Sequence, residues 1–183
     1  LDRIDFAIAT GSQSLFEGHA LLPCHRWHRH VVVPKGHPLA KIKAPTLKQL
    51  AAHPIITYVF GFTGPSSLME IFAKEGLVPN VALTARDADV IKTYVRLGLG
   101  IGIVASMAID PKEDADLVQI DTSHLFPTHT TWIGLRRGGL LRKYQLDFVQ
   151  LFAPHLTKRV IERAAGAATQ ADVDELVKGM EKF

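Results

Sequence analysis

The sequence predicts an α/β fold, with strands alternating with helices around a mostly parallel sheet. Two observations carry this expectation. Short apolar runs at residues 55–60 and 101–105 have strand length and adjoin glycine-rich turns, as buried strands do. Between and around them lie segments whose apolar residues recur three and four apart, such as Leu68, Ile71 and Phe72, or Ile91, Tyr94 and Val95, the spacing of an amphipathic helix. Alternation of the two periods is the signature of the α/β class.

In chain order, residues 4–10 read as a strand, Thr10-Gly11-Ser12 as the polar turn at its C-terminal end, and residues 13–23 as a loop. Residues 28–33 form the next strand, closed by Pro34-Lys35-Gly36-His37-Pro38, which cannot continue it. Thr46 caps a short helix over 47–52. The strand 55–60 then feeds a turn at Gly61 and Gly64. Pro65 suits the first turn of the next helix, and Ser67 with Glu70 has capping-box spacing. Gly76 ends that helix. Residues 81–84 are a strand, and 88–97 a helix with Val90, Ile91, Tyr94 and Val95 on one face, broken by Gly98 and Gly100. Residues 111–116 read as an acidic surface loop, 117–120 and 130–136 as strands, and 140–152 as a helix ended by Pro154. Two weakly amphipathic helices fill 157–183, divided near 166–169.

Composition narrows the function class. A chain of 183 residues, 47% hydrophobic and 21% charged, is globular and holds one domain or two small lobes. Its apolar runs are far too short to span a bilayer, so no membrane association is expected. Asp2, Arg3 and Asp5 interrupt any secretory signal. The first residue is Leu1, and the chain is expected to lack its true N-terminus. A single cysteine, Cys24, excludes an intrachain disulfide and fits a reducing, cytoplasmic compartment. Residues 1–60 carry seven Lys/Arg against three Asp/Glu, residues 61–110 four against five, and the remainder ten of each. Without a dense basic helix or interleaved aromatics, this is no nucleic-acid surface by itself.

The stretch from Thr57 to Gly76 carries the most chemistry. A strand feeding a glycine turn into a helix start points backbone N–H groups and hydroxyls at one spot, which attracts a small anion. An ordinary capped helix uses the same residues, and both readings stand. In Cys24-His25-x-x-His28-x-His30, a continuous strand would put Cys24, His28 and His30 on one face. Zinc or copper could use such ligands, but same-face ligands on a flat strand rarely converge, and a polar strand flanking a hinge is the expectation. No metal is expected. No nucleophile elbow, phosphate loop or zinc-protease motif is present in the sequence, so no enzyme is expected. Asp87 and Asp89 read as helix-start residues. Gly98-Leu99-Gly100-Ile101-Gly102 precedes a strand and is no dinucleotide fingerprint. Arg136-Arg137 and Arg142-Lys143 read as a solvated cluster before a phosphate site; Leu140, Tyr144 and Phe148 read as core or a dimer face.

Four spaced pieces, Asp5-Phe6-Ala7-Ile8, His37-Pro38-Leu39-Ala40, Phe72 with Gly76 and Pro79, and Val95-Arg96-Leu97-Gly98-Leu99-Gly100-Ile101-Gly102-Ile103, resemble the effector-binding domain of LysR-type transcriptional regulators. The resemblance covers residues 1 to about 155. Phe60-Gly61-Phe62-Thr63-Gly64, the run 87–96 and the segment 148–156 are similar to the family's sulfur-assimilation branch. The resemblance implies two Rossmann-like lobes joined by two crossover strands, like the type 2 periplasmic binding proteins, with a ligand cleft between them. Lobe I would be residues 1–25 and 133–183, lacking its N-terminal part, and lobe II residues 30–130. It also implies an N-terminal winged helix-turn-helix, absent from this chain, through which the whole protein binds promoter DNA as a homo-oligomer, dimer or tetramer. Thr10, Trp27 and Thr63 match the branch's sulfate-contacting positions, with backbone donors at Gly61, Phe62 and Gly64. The implied effector is sulfate, thiosulfate, O-acetylserine, N-acetylserine or adenosine phosphosulfate, and no cofactor. A transport protein of the same fold, capturing an oxyanion for a permease, is the alternative.

Overall fold

A computed structural model describes residues 5–10, 16, 18–59 and 67–180. Its elements in order are β1 (Phe6–Thr10), β2 (His19–Trp27), β3 (Arg29–Pro34), α1 (Leu47–Ala51), β4 (Ile55–Tyr58), α2 (Leu68–Lys74), β5 (Val81–Ala85), α3 (Ala88–Arg96), β6 (Ile101–Ala105), β7 (Leu117–Ile120), β8 (His129–Arg136), α4 (Lys143–Phe152), α5 (Lys158–Ala165) and α6 (Gln170–Val177). They divide into two units, one of Leu1–Arg26 with His129–Phe183 and one of Trp27–Thr128.

The first unit holds a three-stranded sheet in the order β1-β8-β2, with β1 antiparallel to β8. Its core joins Leu22 and Cys24 of β2 and Ile133 and Leu135 of β8 to Val149, Leu156, Ile161 and Val173 from the helical layer. Residues 19–23, expected as loop, are the first half of β2. Pro23 is accommodated because β2 stands at a sheet edge, where a residue without an N–H is tolerated. Ala20, Leu21 and Leu22 are all buried. The outward peptide groups of this edge are satisfied from the side: the Gln170 amide donates to Leu21 O and accepts from Leu21 N, each at 2.9 Å, and His155 Nε2 lies 2.9 Å from Pro23 O. Such covering blunts an edge against pairing with other chains.

Helix α4 begins at Lys143, three residues later than its apolar pattern suggests. Gly138 has φ +69°, and Gln145 closes the helix start by accepting from Arg142 N at 2.7 Å. Leu140 is left outside at 95% exposure, so it is not core. Phe148 stacks on Phe6 at 4.5 Å between ring centroids. The last two helices, α5 and α6, divide where expected, each with a threonine cap, Thr157 and Thr169.

The second unit holds a five-stranded sheet in the order β5-β4-β6-β3-β7. Strand β4 runs parallel to β5 and β6, whereas β3 runs antiparallel to β6 and β7. This sheet is thus mixed, and with β1 and β8 antiparallel in the first unit the described strands are not mostly parallel. Only β4, β5 and β6, which α2 and α3 connect in sequence, have the crossovers that parallel pairing demands. The sheet is covered on both faces. Val31, Val33, Ile55, Ile101 and Ile103 pack with Leu50 and Phe72 on one side, and Val32, Ile56 and Val104 with Ile91 and Val95 on the other. Each fully buried Leu, Ile or Phe contributes roughly 1.5–3 kcal/mol.

The glycine run before β6 answers to this packing. A Cβ on Gly100 would collide with Pro54 O, the atom that accepts from Ile101 N at 2.8 Å. A Cβ on Gly102 would meet Val95 Cγ2 at 2.9 Å. On α3, Ile91 and Val95 are fully buried, but Val90 is turned outward at 39% exposure and Lys92 is buried in its place. The acidic segment 111–116 explains why. Its Asp114 is only 4% exposed and takes Lys92 Nζ at 2.9 Å, Arg96 Nη2 at 2.7 Å and Asp110 N at 2.9 Å. Burial pushes the Asp114 carboxyl up, but these donors outweigh it and hold the group down at about 2.

Candidate ligand-binding site

Thr10 ends β1, whose alternation puts Phe6, Ile8 and Thr10 on one face. The antiparallel register sets it opposite Thr131 of β8. Their hydroxyls lie 3.2 Å apart, and either can be the donor. The Thr10 side chain is exposed, so its hydroxyl has capacity for a further partner. Trp27 is the last residue of β2, 8% exposed, and opens the second unit. Thr63, Gly61, Phe62 and Gly64 lie outside the described residues, as does Pro65.

What is described of the turn between β4 and α2 is its two ends. Thr57, next to last in β4, is buried and donates to Ile103 O at 3.0 Å, so its one hydroxyl proton is spent within the sheet. Ser67 is the N-cap of α2 and accepts from Glu70 N at 3.2 Å. Glu70 does not close the expected box; its carboxylate lies 3.8 Å from Lys74 Nζ. The first residue of that helix is Leu68.

The residues weighed as metal ligands are dispersed. The extended run breaks at His28, between β2 and β3. Cys24 is fully buried in the first unit's core, where burial pushes its thiol up to about 12, and a protonated thiol is a poor ligand. The His25 ring sits edge-on to Phe152 at 4.9 Å. His30 has Nδ1 2.9 Å from Gln119 Nε2 and Nε2 3.2 Å from Asp121 Oδ1. Among the described residues, no three His, Cys, Asp or Glu side chains come together as a metal centre. Asp87 is the N-cap of α3, accepting from Val90 N at 2.9 Å, and Asp89 pairs with Lys92 at 3.0 Å. Arg137 is not simply solvated, for it donates to Ala167 O and to Gln170 Oε1 at 3.1 and 3.2 Å.

Residues 1–157 of the 183 match the LysR substrate binding domain. The chain belongs to that family. It is 48% identical over 179 residues to the transcriptional regulator CysB of Haemophilus influenzae, covering 98% of this chain and 55% of that protein. It is 50% identical over 157 residues to the regulator SsuR of Burkholderia cenocepacia, covering 86% of this chain and 51% of that protein. The crystal structure of the cofactor-binding domain of the Cbl transcriptional regulator superimposes with a TM-score of 0.77 at 42% identity, covering 88% of this chain and 71% of that one. The chain spans about half the length of the curated relatives it matches.

Two polar features of this LysR substrate binding domain are not visible from local sequence. Tyr58, buried at the end of β4, accepts from Ala105 N at 3.3 Å and ties β4 to the end of β6. Thr131 reaches Thr10 only through the pairing of strands some 120 residues apart. Alternation along residues 129–136 would have put Thr131 on the face of Ile133 and Leu135, but not opposite Thr10.

Proposed function

We propose that this chain is the inducer-sensing domain of a transcription regulator of sulfur assimilation and cysteine biosynthesis. Its effector is a small anion or an acetylserine-like molecule. One observation carries the reading: identity near one half runs along almost the whole chain to regulators named CysB and SsuR. Thr10, Trp27 and Thr63 are the side-chain ligands, and the backbone around Gly61, Phe62 and Gly64 adds N–H donors. The domain is a binding protein and not an enzyme. The whole protein binds promoter DNA and forms a homo-oligomer, dimer or tetramer. The transport alternative has less support, since the relatives are regulators.

The chemistry suits an oxyanion. Each hydrogen bond to a charged group contributes roughly 1.5–3 kcal/mol, so several neutral donors together offset desolvation of a small dianion. Sulfate, an acceptor only, suits such a site better than hydrogen phosphate, whose proton needs an acceptor. Ligand binding regulates only if affinity differs between two arrangements of the whole protein.

The experiment is a thermal-shift and calorimetric panel on the whole protein with sulfate, thiosulfate, O-acetylserine, N-acetylserine, adenosine phosphosulfate and phosphate. At least one sulfur compound or acetylserine raises the melting temperature. Thr63→Val weakens sulfate binding by roughly 1–3 kcal/mol while the ligand-free melting temperature holds. No shift with any compound, or lost stability with unchanged binding, overturns the proposal.

A further inference from the structure

We infer that Thr131 is a positioning residue for the Thr10 hydroxyl, so that the ligand's anionic end is met by a relay of two hydroxyls and not by one. The inference rests on the proposed role of Thr10 and goes beyond it, because Thr131 matches none of the positions that the resemblance assigns. Thr10 and Thr131 are register partners on antiparallel strands, with hydroxyl oxygens 3.2 Å apart. Thr131 stands on the face of β8 that also carries Ile133 and Leu135, both fully buried in the core of the first unit. Its backbone is thereby anchored, whereas Thr10 is exposed at the end of an outer strand.

A threonine hydroxyl has one proton and two lone pairs. When Thr131 donates to Thr10, one Thr10 lone pair is taken and its only proton is left for the ligand. The same bond limits rotation of the Thr10 side chain, so less ordering remains to be done on binding. Hydroxyls in series also polarise one another, which strengthens the outer bond toward an anion. A plain cross-strand threonine pair would stabilise the sheet alone, and the two roles are separable.

The test is a double-mutant cycle in the whole protein, titrated calorimetrically with sodium sulfate and sodium thiosulfate. Thr10→Val is expected to weaken binding roughly 10- to 100-fold and Thr131→Val roughly 2- to 10-fold. In the Thr10→Val background, Thr131→Val is expected to have no further effect; with Thr10 intact, Thr131→Ser, which keeps the hydroxyl, is expected to bind as the wild type does. Wild-type affinity in Thr131→Val, alongside weakened Thr10→Val, overturns the relay while leaving the proposed function intact. An equal loss from Thr131→Val in both backgrounds also overturns it, since Thr131 would then touch the ligand itself. If Thr10→Val binds like wild type, the ligand role of Thr10 fails and the relay with it. Should Thr131→Val unfold, Thr131→Ala decides: weakened binding at normal stability supports the relay, and normal binding overturns it.

Discussion

Asp114→Asn is the substitution whose consequence follows most directly from the coordinates. The carboxylate is almost fully buried and receives Lys92, Arg96 and the Asp110 N–H. Asparagine keeps the size and its amide oxygen can still accept from Asp110 N, but its NH2 then faces Arg96 Nη2 donor to donor, so the change removes the charge and one acceptor together. Two routes give the magnitude. The carboxyl is held near 2 against a usual 3.8, a difference of nearly two units, or about 2.5 kcal/mol at 1.36 kcal/mol per unit. Removing one member of a buried pair costs about 3–5 kcal/mol, but that is an upper bound. Lys92 retains Asp89 and Ala108 O, and Arg96 retains Asp116. The raised basicity of Lys92 and Arg96 is the same attraction seen from the cations and is not added. The expected loss is therefore about 2–3 kcal/mol, or on the order of 10 °C in melting temperature for a unit of this size. Urea denaturation of both proteins across pH measures it. Because the folded carboxyl is depressed, its stabilisation is complete above about 3.8 and fades as pH falls toward about 2. The gap between wild type and variant closes over that window. A gap below about 0.5 kcal/mol at neutral pH, or one that stays open at the acid end, refutes the reasoning.

Two further outcomes follow from the same kind of reading. Gly100→Ala is expected to cost more than Gly102→Ala, about 1–3 kcal/mol for the former. The new methyl at position 100 meets the carbonyl of Pro54, while that at 102 meets a Val95 methyl that can shift; chemical denaturation of both variants checks the order. His37 Nδ1 accepts from Leu39 N at 3.2 Å, so the capping ring must keep that nitrogen unprotonated. Burial first, and then the neighbouring His53 ring at 4.7 Å, lower its proton affinity below the usual 6.5. Its depressed folded value means stability present above 6.5 is lost as pH falls below it, and His37→Asn, which caps without titrating, is expected to flatten the wild-type decline between pH 7 and 5 in urea midpoints.

Much of this architecture is legible along the chain because local signals agree. Thr46, Asp87, Thr157 and Thr169 stand where helices begin, and each accepts the N–H three residues on. Strands β4 and β6 read out as short apolar runs bounded by turns. The losses have physical causes. The first half of β2 read as loop, because tertiary pairing, not local pattern, makes it an edge strand. Sheet direction depends on which strands meet, which β3 and β7 settle through distant partners. An acidic run reads as solvated, so Asp114 became visible as a buried anchor only when α3 brought Lys92 and Arg96 to it. At the candidate site, the placing of Thr10 at a strand end follows from the sequence of β1 itself, while its contact with Thr131 depends on register.

The division of the chain has a consequence for synthesis on the ribosome. Residues 27–128 are continuous, so the segment that contains β3 to β7 can close its sheet as soon as it has emerged. Strand β1, by contrast, must wait for β8 at the far end of a long intervening stretch, and non-local pairing of that kind is slow to nucleate. The inserted body matures first, and until translation passes residue 136 the nascent β1, with Phe6 and Ile8, is left without its β8 partner. That interval is when a holding chaperone would have most to do.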